Sequence, residues 1–326
     1  MKAILVEKPG GAEQLKLGKF PMPEVGEHSL LVKVKATALN RADILQREGK
    51  YPPPQGASPI LGLEIAGIVE TVGSKAINWK KGDKVFGLLP GGGYAEYAVI
   101  HEDMALLVPE NISFEEAAAI PEVFLTAFQC LVWLAELKEG EIVLIHAGAS
   151  GVGTAAIQLA RESGAKIIVT ASQAKHKICR QLGAELTIDY KTQDFCGEIL
   201  KHTNNYGADV IIDFIGGPNF KPNILSLARD GRLIMLAVLG GGNVNEVDIR
   251  HILAKRLKII GSTLRSRSLD YQIKLTKEFK DFAYEKIKSG RITPVIDKVF
   301  NWKDVAEAHR RMEENKNAGK IVLRVE

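Results

Sequence analysis

A strand, a glycine-rich turn and a helix follow one another within residues 141–156, and this order constrains the fold more than any other feature of the chain. The aliphatic run Ile142–Ile145 is typical of a parallel strand that is covered on both faces. Gly148, Gly151 and Gly153 lack a Cβ, so the backbone can turn tightly and bring its N–H groups close to a pyrophosphate. Apolar residues at helical spacing then direct a helix N-terminus at the same place. We predict a dinucleotide-binding turn, with an ordinary glycine-rich loop as the alternative.

Strand and helix patterns alternate from this turn onward. The predicted strands are 141–146, 166–171, 186–190, 209–215, 232–238 and 257–262. The predicted helices between them are 152–163, 175–182, 193–202 and 219–228. Such alternation, with six strands and short links, predicts a doubly wound parallel sheet of the Rossmann type.

The first 120 residues show a different pattern, with short strands such as 30–36 and 94–100 separated by glycine and proline. This pattern predicts a mostly β, barrel-like domain. A predicted helix at 122–136 bridges the two regions. The tail has predicted helices near 269–288 and 304–314 and a last strand, 320–325, which we expect to return to the first domain. The predicted domains are therefore 1–122, 123–264 and 265–326.

The bulk properties exclude several classes of protein. Lys and Arg number 43 against 39 Asp and Glu, and a net charge of +4 that is evenly spread argues against nucleic acid or a membrane surface as partner. The cysteines are three in number and widely spaced, so neither a disulfide framework nor a metal cluster is predicted. No apolar stretch approaches the roughly 20 residues of a membrane span. We expect a soluble, cytoplasmic protein.

The end of the second predicted strand bears on which nucleotide binds. An NAD site would carry an acidic residue there, for the ribose 2′-hydroxyl. No acid follows residues 166–171; Ser172, Gln173, Lys175, His176 and Lys177 come instead. A hydroxyl and cations suit a 2′-phosphate, so we predict NADPH as the cofactor, with Ser172 and Lys175 as phosphate ligands. The alternative is a run of solvated charges that opens a surface helix.

Several motifs together resemble one known family over nearly the whole chain. They are the segments 38–45, 51–54, 61–67, 81–87 and 146–153. In sequence order they resemble the zinc-independent quinone oxidoreductase branch of the medium-chain dehydrogenase/reductase superfamily. Further segments resemble the tumour-suppressor-inducible quinone oxidoreductases of animals, although residues 170–175 are one residue shorter. They are 39–43, 89–93, 119–122, 125–129, 264–267 and 315–323. The resemblance implies an α/β fold, in which a Rossmann doubly wound parallel sheet is inserted in a GroES-like, mostly β catalytic domain.

The same resemblance predicts a metal-free enzyme. Zinc alcohol dehydrogenases of the superfamily have Cys where this chain has Asn40 and His where it has Leu63. An amide and an alkyl group cannot replace a thiolate and an imidazole as zinc ligands. No closely spaced set of four cysteines for a structural zinc is present either.

Three residues are predicted to be catalytic. Tyr51 could hydrogen-bond a carbonyl oxygen of the substrate, and its family counterpart lines the cofactor cleft; the alternative is a tyrosine packed in a proline-rich loop. Asn40 is expected near the nicotinamide, with Asp43 either in the same cleft or bracing the loop. Ser150 could hydrogen-bond the nicotinamide ribose or the substrate, but it lacks the spacing of a nucleophile elbow.

The resemblance and the strand ends together predict the cofactor-binding residues. They are Thr126, Gly148, Ser150, Gly151, Val152, Gly153, Thr154, Ser172, Lys175, Tyr190, Leu239, Gly240, Gly241, Leu264, Arg265, Ser266 and Asn317. Leu264, Arg265 and Ser266 are expected to contribute backbone contacts. For each of the turns, and for Thr126 and Tyr190, a purely structural role is the alternative. The seven histidines are scattered and predict no ligand or catalytic motif.

The predicted function is NADPH-dependent, metal-free reduction of a quinone by transfer from the nicotinamide in an interdomain cleft. One alternative is a reductase of α,β-unsaturated aldehydes or ketones, because the same hydride geometry serves conjugate addition. Another is a cofactor-loaded binding or scaffold protein with little turnover. The resemblance also implies a homodimer formed by edge pairing of the Rossmann sheets.

Overall fold

The computed structural model describes residues 1–325, and within them the chain forms fifteen strands and ten α-helices. Contacts divide the chain into two compact units. The β-rich unit contains residues 1–125 and the residues from 265 onward, and the Rossmann unit contains residues 126–264.

The N-terminal region consists of short strands and three helices. Its strands are β1 (Lys2–Val6), β2 (Leu15–Lys19), β3 (Ser29–Ala38), β4 (Glu64–Val72), β5 (Lys84–Leu88), β6 (Tyr97–His101) and β7 (Ala105–Leu107). Its helices are α1 (Arg41–Arg47), α2 (Phe114–Ala118) and α3 (Pro121–Phe128), and a π-helical segment, Gln129–Leu134, follows α3. The single helix expected over 122–136 is therefore two segments of different winding.

The central region alternates strands and helices. Its strands are β8 (Ile142–Ile145), β9 (Lys166–Ala171), β10 (Leu186–Asp189), β11 (Ala208–Asp213), β12 (Leu227–Met235) and β13 (Lys258–Gly261). Its helices are α4 (Gly151–Glu162), α5 (His176–Leu182), α6 (Phe195–His202), α7 (Gly217–Ser226) and α8 (Arg250–Lys255). The sequence pattern did not predict α8, which is short and has no buried residue. The last region contains α9 (Leu269–Lys288), β14 (Ile296–Asn301), α10 (Val305–Glu313) and β15 (Lys320–Arg324).

The six central strands form one parallel sheet in the order β10-β9-β8-β11-β12-β13. This is the Rossmann order, in which the chain reverses direction across the sheet between β8 and β11. Aliphatic side chains fill its core, among them Leu144, Ile168 and Ile211, each at most 1% exposed. The predicted Rossmann sheet is confirmed.

In the β-rich unit, β3 is the central strand. It pairs with β4, β6 and β15, all antiparallel, and β5 and β7 extend the sheet beyond β4. The C-terminal strand β15 lies between β3 and β14 and pairs through Val322, Leu323 and Arg324 with Ala38, Thr37 and Ala36. The last strand of the chain thus completes the sheet that the first hundred residues begin.

Candidate active site

The carboxyl ends of the parallel strands bring most of the predicted cofactor-binding residues to one edge of the Rossmann sheet. Ligands of such sheets bind outside this edge, at the point where strand order reverses. That point lies between β8 and β11. Ser172 and Tyr190 directly follow β9 and β10. The other predicted residues at this edge lie in the connections that leave β8, β12 and β13, and they are the residues of the glycine turn, Leu239, Gly240, Gly241 and Leu264.

Glycine is required in the turn after β8 for packing. A Cβ on Gly153 would lie 2.3 Å from the carbonyl oxygen of Ala147, and one on Gly148 would lie 2.7 Å from the Cβ of Val169. Both distances are shorter than any real contact, so a side chain at either position would push α4 or the turn away from the sheet. The two glycines therefore let the N-terminus of α4 sit close to the strand ends.

The hydrogen bonds of this turn show which donors remain for a ligand. The N–H of Gly148 donates to the carbonyl of Thr170 at 2.9 Å, and the N–H of Gly153 donates to the Ser150 hydroxyl at 3.0 Å. Gly151 and Val152 lie in the first turn of α4, where an N–H has no helical acceptor. Together with the positive end of the helix dipole, these two N–H groups can hold a phosphate oxygen.

Two hydroxyls in the turn have structural roles. The Ser150 oxygen caps α4 as an acceptor, which leaves its own proton to donate. The hydroxyl of Thr154 donates to the carbonyl of Gly151 at 2.9 Å and is buried. Ser150 can therefore cap the helix and contact a ligand at once.

The end of β9 has the predicted arrangement only in part. Ser172 and Lys175 are both half-buried and lie at the two ends of a short turn, in which the Lys175 N–H donates to the Ser172 carbonyl. The His176 ring is buried, and its Nε2 lies 3.0 Å from the carbonyl oxygen of Ala171. His176 is thus committed to the backbone, and Ser172 and Lys175 remain candidates for a phosphate.

A buried histidine that the sequence pattern did not single out ties these two strand ends together. The Nδ1 of His146 lies 2.9 Å from the Thr170 hydroxyl, and its Nε2 lies 2.8 Å from the Asn223 side-chain oxygen. The ring also packs edge-on against Phe195, with 4.8 Å between centroids. Burial lowers the pKa of His146. A neutral imidazole therefore fixes the turn after β8 to the end of β9.

The turns after β11 and β12 support each other. The N–H groups of Leu239 and Gly240 donate to the carbonyl oxygens of Phe214 and Ile215, respectively. In the other direction, the N–H of Gly217 donates to the carbonyl oxygen of Gly241. Sequence reasoning named only the second of these turns. The Leu239 side chain is half exposed beside the strand ends.

Two other predicted residues have distinct surroundings in the Rossmann unit. Thr126 is buried, and its hydroxyl has no hydrogen-bond partner within residues 1–325. Tyr190 is 58% exposed directly after β10. An unpaired buried hydroxyl and an exposed aromatic ring are both features that a bound ligand would explain.

In the β-rich unit, Asn40 lies between two buried charges. Its amide nitrogen donates to Glu64 at 2.8 Å, and its oxygen accepts from the Lys320 ammonium at 2.6 Å. Lys320 and Glu64 form a salt bridge of 2.7 Å, with side chains 3% and 0% exposed. Sequence reasoning missed both partners, because Lys320 reaches Glu64 only through the pairing of β15 with β3. Asn40 is thus held in place by a charged network.

Asp43 braces the start of α1, which is one of the two roles the sequence suggested. Its carboxylate accepts from the N–H groups of Asn40 at 2.8 Å and Gly62 at 3.0 Å. Burial raises the pKa of Asp43 to about 6, although these donors and the cations Lys320 and Arg265 oppose the shift.

A second buried chain of polar groups continues from Asp43. The Tyr94 hydroxyl lies 3.3 Å from Asp43 and 3.3 Å from Nε2 of His309. The other ring nitrogen of His309 lies 3.2 Å from Arg47. Burial, together with Arg47, lowers the pKa of His309 to about 3, so this imidazole is neutral. Its Nδ1 accepts from the Arg47 guanidinium, which has no acceptor of its own, and this leaves Nε2 to carry the proton and donate to the Tyr94 hydroxyl.

Tyr51, Arg265 and Asn317 also belong to the β-rich unit. Tyr51 is half-buried, and the Arg265 guanidinium carbon lies 5.5 Å from the centroid of its ring. Arg265 is buried, and its Nε and Nη2 donate to the carbonyl of Pro90 at 2.9 and 2.7 Å. Ser266 follows it and is exposed. The Asn317 amide donates to the carbonyl of Gly319 at 2.8 Å.

Two family models match the chain. The alcohol dehydrogenase GroES-like domain matches residues 26–110, and the zinc-binding dehydrogenase model matches residues 151–281. The quinone oxidoreductase of Homo sapiens is 34% identical over 334 residues, which cover 99% of this chain and 97% of the human protein. The chain belongs to the quinone oxidoreductase branch of the medium-chain dehydrogenase/reductase superfamily. As a member of this superfamily, it is an oxidoreductase that binds a nicotinamide cofactor.

Solved structures match the complete fold. An NAD-dependent alcohol dehydrogenase has a TM-score of 0.89 at 32% identity, covering 100% of both chains. The CurK enoyl reductase has a TM-score of 0.88 at 28% identity, covering 100% of this chain and 99% of its own. Mycobacterial Rv1454c, complexed with NADPH, has a TM-score of 0.87 at 30% identity, covering 99% of this chain and 100% of its own.

The residues of this chain do not fit the zinc that the second family model's name implies. Among residues 1–325, no three His, Cys, Asp or Glu side chains are grouped as metal ligands. Asn40 and Leu63 offer an amide and an alkyl group, and the Lys320 ammonium lies 2.6 Å from the Asn40 oxygen. A zinc ion there would meet a fixed positive charge.

Within residues 1–325, every helix is too short or too polar to cross a membrane.

Proposed function

We propose that this protein reduces quinones with NADPH and without a metal ion. The observation that carries the proposal is the similarity to human quinone oxidoreductase over 99% of the chain, combined with an amide at Asn40, in place of a metal ligand, that is bonded to Glu64 and Lys320.

NADPH would bind at the carboxyl edge of the Rossmann sheet. The N–H groups of Gly151 and Val152 would hold the pyrophosphate, and the unpaired hydroxyl of Thr126 would find a partner in the bound cofactor. When bound, the nicotinamide supplies a hydride, which carries both electrons of the reduction. The protein contributes orientation and the exclusion of water.

The preference for NADPH over NADH is proposed from the end of β9. Ser172 and Lys175 lie there, where an NAD-binding site would present a carboxylate to the ribose. A hydroxyl and an ammonium favour the extra phosphate of NADPH through charge-assisted hydrogen bonds. The complex of Rv1454c with NADPH agrees with this preference, whereas the NAD-dependent alcohol dehydrogenase makes the discrimination worth measuring.

The substrate end of the reaction is proposed to involve the β-rich unit. Tyr51 would donate a hydrogen bond to the acceptor's carbonyl oxygen, and Asn40, held by Glu64 and Lys320, would line the same place. Burial raises the pKa of Tyr51, which keeps its phenol protonated as a donor. Quinones accept electrons readily and need no strong acid.

Reduction of an enone is the second candidate, because the CurK enoyl reductase shares the complete fold.

We also propose that the protein is cytoplasmic and forms a homodimer. The three cysteines are buried and unpaired within the described chain, which suits a reducing compartment. β13 is an edge strand whose residues are exposed or half exposed, including Ile259, and a second copy could pair with it.

A paired assay tests the proposed function. Purified protein is titrated with NADPH and NADH and then given 1,4-benzoquinone or cyclohex-2-enone, which are both six-membered rings with a conjugated carbonyl. We expect tighter binding of NADPH and a higher kcat/KM for the quinone. A higher kcat/KM for the enone would favour the second candidate, and NADPH binding without turnover of either compound would contradict both and favour a binding protein.

A further inference from the structure

The Arg265 side chain holds a buried donor that its surroundings leave unused. Arg265 is 9% exposed. Its Nε and Nη2 both donate to the Pro90 carbonyl, whereas Nη1 is shielded from solvent and has no hydrogen-bond partner within the described chain. Leaving a buried charged donor unsatisfied is costly, so this group calls for an acceptor, and a bound ligand is one group that can supply it.

A second donor lies beside it. The Tyr51 ring faces the guanidinium at 5.5 Å, which is near the outer limit of about 6 Å for a cation–π contact. The Tyr51 hydroxyl has no hydrogen bond in the part of the chain that the structure describes, and this side chain is half-buried. Two unused donors, Nη1 of Arg265 and the Tyr51 hydroxyl, therefore belong to neighbouring side chains.

The guanidinium itself is fixed. Two hydrogen bonds to one carbonyl set the plane of the guanidinium and with it the direction of Nη1. Burial lowers the pKa of Arg265, and the nearby Asp43 carboxyl group opposes this shift. A fixed cation beside a phenol donor is suited to an oxygen that becomes negative during a reaction.

We propose that Arg265 is a second substrate-binding residue, whose Nη1 donates to the same carbonyl oxygen as Tyr51 and stabilises the negative charge that develops on it. The inference rests on the proposed quinone reduction and narrows it to acceptors whose reduced form carries an anionic oxygen. It differs from the backbone contact to the cofactor that the sequence suggested for this residue.

The step is balanced with NADPH as the reductant. Reduction of 1,4-benzoquinone to its hydroquinone takes two electrons and two protons. The C–H bond at the nicotinamide would break and an O–H bond would form at the quinone oxygen remote from Tyr51, so the hydride supplies both electrons and one proton and leaves the hydroquinone monoanion and NADP⁺. The phenolate oxygen then takes the second proton from Tyr51, which regains it from solvent. Arg265 holds the phenolate charge and transfers no proton.

Kinetics of Arg265→Met, which removes the charge and keeps much of the side-chain volume, test this role. Loss of a charge-assisted hydrogen bond to the reacting oxygen should lower kcat/KM for 1,4-benzoquinone by roughly 10- to 150-fold. NADPH affinity should stay within about twofold. Arg267→Met is the matched control, because Arg267 also faces a tyrosine, Tyr271 at 4.8 Å, and should leave kcat/KM unchanged. Unchanged kcat/KM in Arg265→Met would overturn the proposal.

A binding experiment separates this inference from the proposed function. The probe is 4-nitrophenolate, which resembles the hydroquinone monoanion and is not reduced, and difference absorbance reports its binding to the NADP⁺-loaded protein. We expect at least tenfold weaker binding in Arg265→Met and a smaller loss in Tyr51→Phe. Equal binding in wild type and Arg265→Met, or no binding to wild type, would refute the anionic-oxygen site. Arg265-dependent binding with no quinone turnover would support the site and refute the reaction.

Discussion

The candidate sites of the two units differ in the polar groups that they bury. Beside its glycine turn, the Rossmann unit pairs the His146 ring with the Thr170 hydroxyl and the Asn223 amide, and within residues 1–325 its buried Asp213 carboxyl group accepts only from backbone N–H groups, those of Ile215 and Gly216. The β-rich unit pairs opposite charges, with Lys320 and Glu64 on either side of Asn40. A turn with free N–H groups suits a ligand that brings its own phosphates. A charged, rigid site suits a neutral substrate that becomes charged as it reacts.

The largest effect on stability is expected from a substitution that breaks the charged network of Lys320, Glu64 and Asn40. Lys320→Met leaves Glu64 buried without its counterion, and breaking a buried pair in this way costs about 3 to 5 kcal/mol of unfolding free energy. Equilibrium urea unfolding followed by circular dichroism measures the loss. Lys81→Met removes a partner of Glu70 in an exposed pair and should cost less than about 1 kcal/mol. Equal losses in both variants would show that burial does not distinguish the two pairs.

A pH effect on the order of 3 kcal/mol is expected from Asp43. Its pKa is raised from 3.8 to about 6 in the folded chain, so the folded chain binds this proton at a higher pH than the unfolded chain. Its contribution to stability is complete below the unfolded pKa and is lost as the pH rises through about 6.

Unfolding free energies of the wild type and Asp43→Asn, measured from pH 4 to pH 7, test this linkage. The wild type should lose stability relative to the variant as the pH rises over this range. Asp281→Asn is the control, because Asp281 is exposed on α9 and hydrated in both states. Parallel pH profiles for wild type and Asp43→Asn would contradict the raised pKa.

In the Rossmann unit, the glycine turn should be sensitive to one added methyl group. Gly153→Ala places a Cβ 2.3 Å from the Ala147 carbonyl, and overpacking of this kind costs about 1 to 3 kcal/mol. We expect NADPH binding, measured by nicotinamide fluorescence, to weaken by roughly 5- to 150-fold. A Cβ on Gly261 would have no atom within 4 Å, so the control variant Gly261→Ala should bind NADPH as the wild type does. Normal binding by Gly153→Ala would show that the turn does not set the cofactor position.

The smallest expected effect concerns the choice of cofactor. Lys175→Ala should weaken the binding of NADPH roughly tenfold and change the affinity for NADH by no more than about twofold, because only NADPH carries the 2′-phosphate. Lys166→Ala, at the opposite end of β9, is the control and should change neither affinity. Isothermal titration calorimetry with both cofactors measures the difference. An equal loss of affinity for NADPH and NADH would show that Lys175 does not bind the 2′-phosphate.

Local patterns were sufficient for most of the central sheet. The runs in β8, β9 and β11 are aliphatic and short, and the turns between elements carry glycine, so both element types and order could be read from the chain. The exceptions have physical reasons. α8 buries none of its residues and so has no apolar stripe to detect. The winding after α3 changes at Gln129 without any proline or glycine to signal it.

The sequence by itself determined the Rossmann order, the glycine turn, the missing acid after β9 and the lack of zinc ligands at residues 40 and 63, because each depends on residue type and short spacing. Only the tertiary structure decided what surrounds those residues. Lys320 reaches Asn40 across 280 positions, and Arg265 reaches Pro90 across 175. Contacts of such separation arise from strand pairing and chain return, which no local pattern encodes, and they supply the charges that the proposed reaction uses.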